Sequence, residues 1–490
     1  MNEQAARLSE LGIPNEDWKG TPASVRAVVL GLYPLLQQVA ELKAEVAKLR
    51  EEVSRNSGNS SQPPSSDGPG KVVKGKPQPT GRQRGGQPGH AGQGRELVAI
   101  EQVEQVVPHK PEVCTGCGAR LEGEDPRPYR YQVTELPPVK PQVIEHQVHT
   151  LTCPCCGQAN RGELPPEVAV SQFGPNLVAL LAVLMGVYRL SKRQVAALLS
   201  DCFAIELAPS SVINQQLAVS EALAAPTEEA RAYVQTQAVR HVDETGWPQT
   251  EGGQRGWLWV VVTPLVTLFR VALSRAGQVV KELVGQDSAG VVTSDRFSAY
   301  GWLPVERHQI CWAHLRRDFQ KLVERGGLSA EVGQPLRTLA GELLTVWARV
   351  RDGTLPREAF LTQLPAFQHT VRHFLLEGTR CSHPKTVQTC RRILQVEPAL
   401  WTFAAQPGVE PTNNAAERAL RQAVIWRRIS YGTQSEAGSR FVERILTVVA
   451  TCRQQGHNPL DYLRQGVIAH RSGQPVPSLL PASDVVWLTP

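Results

Sequence analysis

Apolar positions along the chain fall into two rhythms. Leu32, Leu35, Val39, Leu42, Val46, Leu49 and Val53 recur in steps of three and four, with Glu and Lys between them. Such an a/d seam predicts a coiled coil over 25–53. Pro34 sits near its start, so the regular helix is expected to begin there. The seam predicts self-association unless the helix packs on its own domain. A second helical region, 174–235, contains the run LVALLAVLMGV at 177–187. That run is too short to span a bilayer and reads as a core helix. SKRQVAALLSDCF, a break and PSSVINQQLAV then give two helices in helix-turn-helix order, the second capped by Ser210 or Ser211. Two packed helices with no DNA role fit the same pattern.

From about residue 236 the period shortens to two. AVRHVDETGW, RGWLWVVVTP and TLFRVALS read as strands, followed by a helix around 278–284 and a strand in GVVTSDRFSAY. RHQICWAHLRRDFQKL reads as a short strand running into a helix, which makes a mixed α/β core. Trp257 and Trp259 share one strand face and are expected in the core. Residues 320–410 read mostly as helix, with breaks at Gly326-Gly327, Gly353 and Pro384. A helix over 411–428 and another in SRFVERILTVVATCRQQG, stopped by Gly456, complete the pattern. The remaining 456–490 reads as a C-terminal tail.

Length changes this picture little: 490 residues suit three or four domains. Charge changes it more. The formal net charge is +6, and 54–95 carries Arg55, Lys71, Lys74, Lys76, Arg82, Arg84 and Arg95 against Asp67 alone. This Ser-, Pro- and Gly-rich stretch is expected to be a disordered basic linker, suited to a polyanion such as nucleic acid or simply solubilising. The polar start of the chain is unlike a secretion signal. Ten cysteines without one point to reduced thiols or metal binding in a cytoplasmic protein with no membrane partner.

Four of those cysteines form two knuckles, Cys114-x-x-Cys117 in VCTGCG and Cys153-x-x-Cys156 in LTCPCCG. Turns holding Gly or Pro let paired thiolates face one ion, so 96–165 reads as a zinc ribbon with structural Zn2+. Cys155 is a bystander, and His146 and His149 are weaker substitute ligands that read rather as strand residues. The intervening YRYQVTELPPVKPQVIEHQVHT alternates like a hairpin.

Two acids stand out in the α/β region. Asp243 ends the first β run and Asp295 ends the later one, each after apolar residues, while Glu244 should face away from Asp243. A buried carboxylate needs a cation or donors. Two facing one point would suit Mg2+, which takes oxygen ligands and keeps several waters. Both also fit strand-end turns. Glu417, in PTNNAAERALR, is the candidate third ligand. Its spacing equally fits a capping box with Asn414 as N-cap, or an i, i+4 pair with Arg421.

Taken in order, HVDETGW, TSDRFSAY, CWAHLRRDF and PTNNAAERALR closely resemble transposases of the insertion sequence 66 family. NSGNSSQPPSSD, GGQPGHAG and the cysteine knuckles also resemble that family, so the likeness runs from about residue 30 to 465. It implies an RNase H-like catalytic domain over 236–319 and 411–455, interrupted by an all-helical insertion over 320–410. It implies a catalytic triad of Asp243, Asp295 and Glu417 holding two Mg2+ or Mn2+ ions. Element ends would be hydrolysed and their 3′ ends joined to target DNA. The segment 174–235 would bind DNA, and His314, Arg316, Arg317, Arg418 and Arg421 would contact phosphates. Homo-oligomerisation and accessory transposition proteins are the further partners implied. A zinc-ribbon regulator and a catalytically silent relative are the readings set against a transposase.

Overall fold

The computed structural model describes residues 14–56, 60–62, 96–169, 171–249 and 253–481. Most of the basic linker expected over 54–95, including every cation from Lys71 to Arg95, lies outside the described residues, as does the end of the 456–490 tail. The chain forms two compact units. One comprises the described residues up to 62 with 223–459 and 477–481; the other comprises 96–222 with 460–476.

Helix α1 spans Asn15–Gly20 and α2 spans Ala23–Ser54. Pro34 lies inside α2 rather than at its start. The helix begins earlier because Pro22 stays extended while its carbonyl accepts from Val25 and Arg26 N–H groups. One interior proline removes one backbone hydrogen bond and does not end so long a helix. Trp18 and Tyr33 are buried, whereas all seven seam residues from Leu32 to Val53 are exposed. By length and composition alone α2 is also long and apolar enough to cross a membrane.

In the second unit, strands β1 (Thr150–Thr152) and β2 (Ala159–Arg161) pair antiparallel across the second knuckle. An isolated bridge between Val113 and Arg120 does the same across the first. The hairpin expected between the knuckles is not formed: residues 121–149 carry no strand. Pro137, Pro138 and Pro141 lack the N–H groups a ladder requires. Helices α3 (Pro175–Gly186), α4 (Lys192–Phe203) and α5 (Pro209–Ala222) follow. Ser191 and Gln194 form a capping box on α4, and Ala204 closes it in the left-handed conformation. Helix α5 starts earlier than expected, so Ser210 and Ser211 lie inside it rather than capping it; the Ala208 carbonyl accepts from Ser211 N–H.

The first unit resumes with α6 (Ala224–Thr236), then β3 (Val239–Gln249), β4 (Gln254–Val262) and β5 (Thr267–Ala272). Helix α7 (Gly277–Val284), β6 (Val291–Ser294), β7 (His308–Ile310) and α8 (Trp312–Glu324) follow. The sheet has the order β5-β4-β3-β6-β7. Strands β3, β4 and β5 are antiparallel, whereas β3, β6 and β7 run parallel. Val242, Trp259, Val261, Leu268 and Val292 face a core completed by α6 and α7. The expected insertion consists chiefly of α9 (Gly327–Arg351), α10 (Arg357–Gly378) and α11 (Pro384–Gln395). Their core centres on Trp347, Phe360 and Phe403, with Trp347 and Phe403 ring centroids 4.9 Å apart. Helices α12 (Asn414–Ser430) and α13 (Glu436–Gln454) return the chain to the sheet.

Both sheet edges are closed by side chains. Along β5, the N–H groups of Thr267, Phe269 and Val271 donate to Thr451 Oγ1, Thr447 Oγ1 and Glu443 Oε2, at 3.2, 2.9 and 2.9 Å. These acceptors stand four residues apart on α13, so one helix face matches alternate N–H groups of an edge strand. On the β7 edge, Gln309 bonds to Leu400 O and Phe403 N, and Thr402 Oγ1 donates to His308 O. Open edges invite pairing with other chains, and both devices prevent it. The 456–490 tail is more structured than its pattern suggested. It holds α14 (Pro459–Arg471), whose Arg471 donates to Phe173 O within the second unit.

Candidate metal-binding active site

The parallel part of the sheet decides where the acids gather. Strand β3 pairs with β6 only from Val239 to His241, so Asp243 lies just beyond that pairing. It is not at a strand end, because β3 continues as a hairpin with β4 and Asp243 sits opposite Val260. Asp295 immediately follows the last residue of β6, and Cys311 immediately follows β7. Clefts at the carboxyl ends of parallel strands are the usual ligand sites of such sheets.

Alternation along β3 holds as expected. Glu244 takes the face of Val242 and Trp259, opposite to that of Asp243. There it is buried and accepts from Arg275 Nη2 at 2.6 Å, Arg275 Nε at 3.0 Å and Tyr300 Oη at 2.7 Å. Arg275 in turn lies over the rings of Trp257 and Phe297. Trp259 is wholly buried and Trp257 carries this guanidinium.

Glu417 lies in the first turn of α12 but caps nothing. The N-cap is Asn413 rather than Asn414, and no side chain caps the helix. Asn413 instead turns inward. Its Nδ2 donates to Val242 O at 2.8 Å, and its backbone N–H donates to Cys311 Sγ at 3.1 Å. The side chain of Glu417 approaches His314 Nδ1 at 3.5 Å and Arg317 Nη2 at 4.0 Å, rather than Arg421. Helix α8 therefore presents His314 and half-buried Arg317 to Glu417, while Arg316, Arg418 and Arg421 are exposed.

Acidic neighbours add to burial at all three acids, at Asp295 through Asp318. Burial pushes Asp243 well above the usual carboxylate range, and Glu244, Asp295 and Glu417 add to it. Asp295 is raised by burial, against the Phe297 N–H and Arg275. Glu417 is raised by burial and by Asp295, with Arg317 and Arg421 opposing. His314 is pushed down to about 4 by burial and by Arg317. It is neutral near pH 7, so its contact with Glu417 is not an ion pair. Glu417 Oε1 and His314 Nδ1 are buried without hydrogen-bond partners. An orphaned carboxylate oxygen among acids that resist ionising together is the donor set a hard divalent cation satisfies.

Among the described residues, Cys311, His314 and Glu417 are the group of three ligand-type side chains whose donor atoms all lie within 4.8 Å of one another; the carboxylates of Asp243, Asp295 and Glu417 do not all come that close. Sequence reasoning passed over Cys311 and Asn413. The Cys-x-x-His spacing of CWAH and the paired asparagines before Glu417 were the signals available.

The two cysteine knuckles share one geometry. Cys114 N–H donates to Ala119 O and Gly118 N–H to Cys114 O; Cys153 pairs with Gln158 and Gly157 in the same way. Gly118 and Gly157 have φ of 76° and 74°, the left-handed region where glycine is favoured. N–H groups of Gly116 and Cys117 lower the Cys114 thiol, and those of Cys156 and Cys155 lower Cys153. Each knuckle thus favours thiolate, the zinc-binding form. The structure brings together the thiols within each knuckle, and no three of the four come within the 4.8 Å just given. Cys155 is exposed.

Comparison with known proteins now bears on these sites. The family described as "Transposase IS66 family" matches residues 170–441, which hold all three acids. The "zinc-finger binding domain of transposase IS66" matches 111–157, which holds all four knuckle cysteines. A family of unknown function matches 3–96. Two similar proteins come from Sinorhizobium fredii (strain NBRC 101917 / NGR234), and both are described as uncharacterized. One, y4qI, is 28% identical over 276 residues, covering 51% of this chain and 49% of that protein. The other, y4hP, is 26% identical over 422 residues, covering 78% of this chain and 75% of that protein. The chain thus spans about half the length of the first relative.

Proposed function

The chain belongs to the IS66 family of transposases, and on that premise we propose that it cuts the ends of an insertion sequence and joins them to target DNA. What supports this reading most is that three separate elements carry Asp243, Asp295 and Glu417 within electrostatic reach of one another, with Glu417 Oε1 buried beside His314 and Arg317 but hydrogen-bonded to neither. In this reading the mixed sheet with its return helix α12 is an RNase H-like domain, and the three acids are its catalytic carboxylates. Two Mg2+ or Mn2+ ions held there would activate water or a 3′-hydroxyl and stabilise the leaving oxygen. The carboxylates hold and orient; none is the nucleophile. Exposed Arg316, Arg418 and Arg421 meet the flanking phosphates, and His314 and Arg317 contact DNA only beside Glu417.

The remaining regions receive supporting roles. Zinc held by Cys114, Cys117, Cys153 and Cys156 joins the two knuckles, and α4–α5 serve as a helix-turn-helix on the element ends. The exposed seam of α2 pairs protomers, since its apolar residues occupy one stripe and its charges the rest. Accessory transposition proteins and a cytoplasmic setting complete the proposal.

Cleavage of DNA carrying the element's ends, with Mg2+ or Mn2+, is the test. Glu417→Gln should lower the rate at least about a hundredfold, because even groups behind a metal ligand are worth about 10- to 100-fold. Cleavage that survives in a folded Glu417→Gln protein would remove the triad assignment.

A further inference from the structure

Glu417 follows the long helical insertion, so nothing in the order of the strands fixes where it sits. Its placement has to be set locally. Resting on the reading of Asp243, Asp295 and Glu417 as the metal-binding triad, we propose that Asn413 is the positioning residue that brings Glu417 to the two aspartates.

The hydrogen bonds around Asn413 reach all three carboxylate-bearing segments. Its Nδ2 donates to the carbonyl of Val242, the residue before Asp243. Its backbone N–H donates to Cys311 Sγ, and Cys311 N–H donates at 2.8 Å to the carbonyl of Ser294, the residue before Asp295. Its own carbonyl accepts from Glu417 N–H at 3.1 Å. A parallel tie, Trp312 N–H to Pro411 O at 2.9 Å, clamps the same two segments one step away. Asn413, Cys311, Ser294 and Val242 are all fully buried, so water cannot replace these bonds. The roles are also chemically specific. Val242 O needs a donor, which the Asn amide supplies; Asn413→Asp would set a carboxylate oxygen against a carbonyl. Its Oδ1 is buried without a hydrogen-bond partner, and the residue acts through Glu417.

The test is Mn2+ titration of the full chain, followed by electron paramagnetic resonance, in five proteins: wild type, Asn413→Ala, Glu417→Gln, the double variant and Thr402→Val. Thr402 Oγ1 donates to His308 O at 2.8 Å, so its substitution removes a buried hydrogen bond elsewhere in the same unit. Asn413→Ala should weaken Mn2+ binding about tenfold or more. Thr402→Val should leave it unchanged at a similar loss of unfolding midpoint. Asn413→Ala should cost nothing further in the Glu417→Gln background, because it acts through that residue. Should Asn413→Ala not fold, Asn413→Ser, which keeps a hydroxyl too short to reach Val242, carries the same readout. Equal Mn2+ binding in Asn413→Ala and Thr402→Val would overturn the proposal. So would losses that add in the double variant. Unchanged Mn2+ binding in Glu417→Gln would instead bring down the triad reading on which the proposal stands.

Discussion

The carboxylate site and the cysteine-knuckle segment are built on opposite principles. Around Asp243 the groups are buried and several are tied to named partners: Asn413 with Val242, Cys311 with Ser294, Glu244 with Arg275 and Tyr300. Around the knuckles nearly every side chain is exposed; Tyr129 is 91% and Val143 87% exposed. Order there comes from two tight turns, each held by the same pair of backbone bonds. The first region is specified by burial before any ion arrives. The second has too little apolar burial to be specified without one.

The largest expected effect separates the two on that ground. Removing zinc with a chelator, or substituting Cys114→Ser, should withdraw on the order of 10 kcal/mol of ordering free energy from the knuckle segment. Proteolysis across 96–165 should become fast while the sheet-bearing unit keeps its unfolding midpoint. A chelated protein whose knuckle segment stays as protected as before would show that burial, not metal, orders that region.

Acid should act on the sheet unit through a different group. His308 is buried, with Nε2 2.8 Å from Ser294 Oγ, and burial pushes it from 6.5 to about 4. A base depressed in the folded state stays neutral there while its unfolded counterpart takes a proton. Stability is therefore complete above about pH 6.5 and lost as pH falls toward about 4. By about pH 5 the loss from His308 alone is about 2 kcal/mol. Urea midpoints at neutral pH and about pH 5 measure it, and His308→Gln should flatten the difference. An unchanged slope would mean that other groups dominate acid unfolding.

These two regions also differ in how far the sequence revealed them. Cys-x-x-Cys announces its chemistry locally, so the knuckles were legible without a fold. The strands at Asp243 and Asp295 were legible from period-two alternation. Two things were not. Asp243 looked like a strand end because the polar run after it, ETGW, is a hairpin arm paired only with β4. Asn414 looked like the cap because local pattern cannot see that Asn413 has a partner in β3, 171 residues away. Pro34 and the prolines at 137, 138 and 141 misled in opposite directions: a long helix absorbed one, and a short hairpin could not absorb three. At the candidate site the Asn413 miss turned on a partner distant in sequence, which propensity does not encode, and the Asp243 miss on a hairpin arm that outlasts the parallel pairing.

A smaller effect tests whether the burial rule extends to the sheet margin. Thr447→Val preserves shape but leaves Phe269 N–H, buried within β5, without its acceptor. The cost should be about 1–3 kcal/mol in urea unfolding. The loss should be smaller for Ser435→Ala, which removes only a part-buried cap at the start of α13. Equal losses would mean that α13 packs on β5 without its hydroxyls closing the edge.

At one point the buried region breaks its own rule. Asp243, Asp295 and Glu417 all have raised pKa values, burial being the first cause for each. For an acid, a folded pKa above the unfolded one means that the folded state holds more protons. Without metal, stability should therefore fall as pH rises past the unfolded carboxylate range and through the raised folded values. Asp243→Asn removes the most strongly raised of the three while keeping its size. It should raise the melting temperature of the metal-free protein by about 2–4 °C, the shift expected from ~1 kcal/mol in a unit of this size. With Mn2+ added, the order should reverse: wild type gains stability by binding, and Asp243→Asn gains little. Differential scanning calorimetry with and without Mn2+ reads both halves. An Asp243→Asn protein less stable than wild type in the absence of metal would mean that the carboxylate is satisfied by the protein itself. The site would then not be one whose strain a cation relieves.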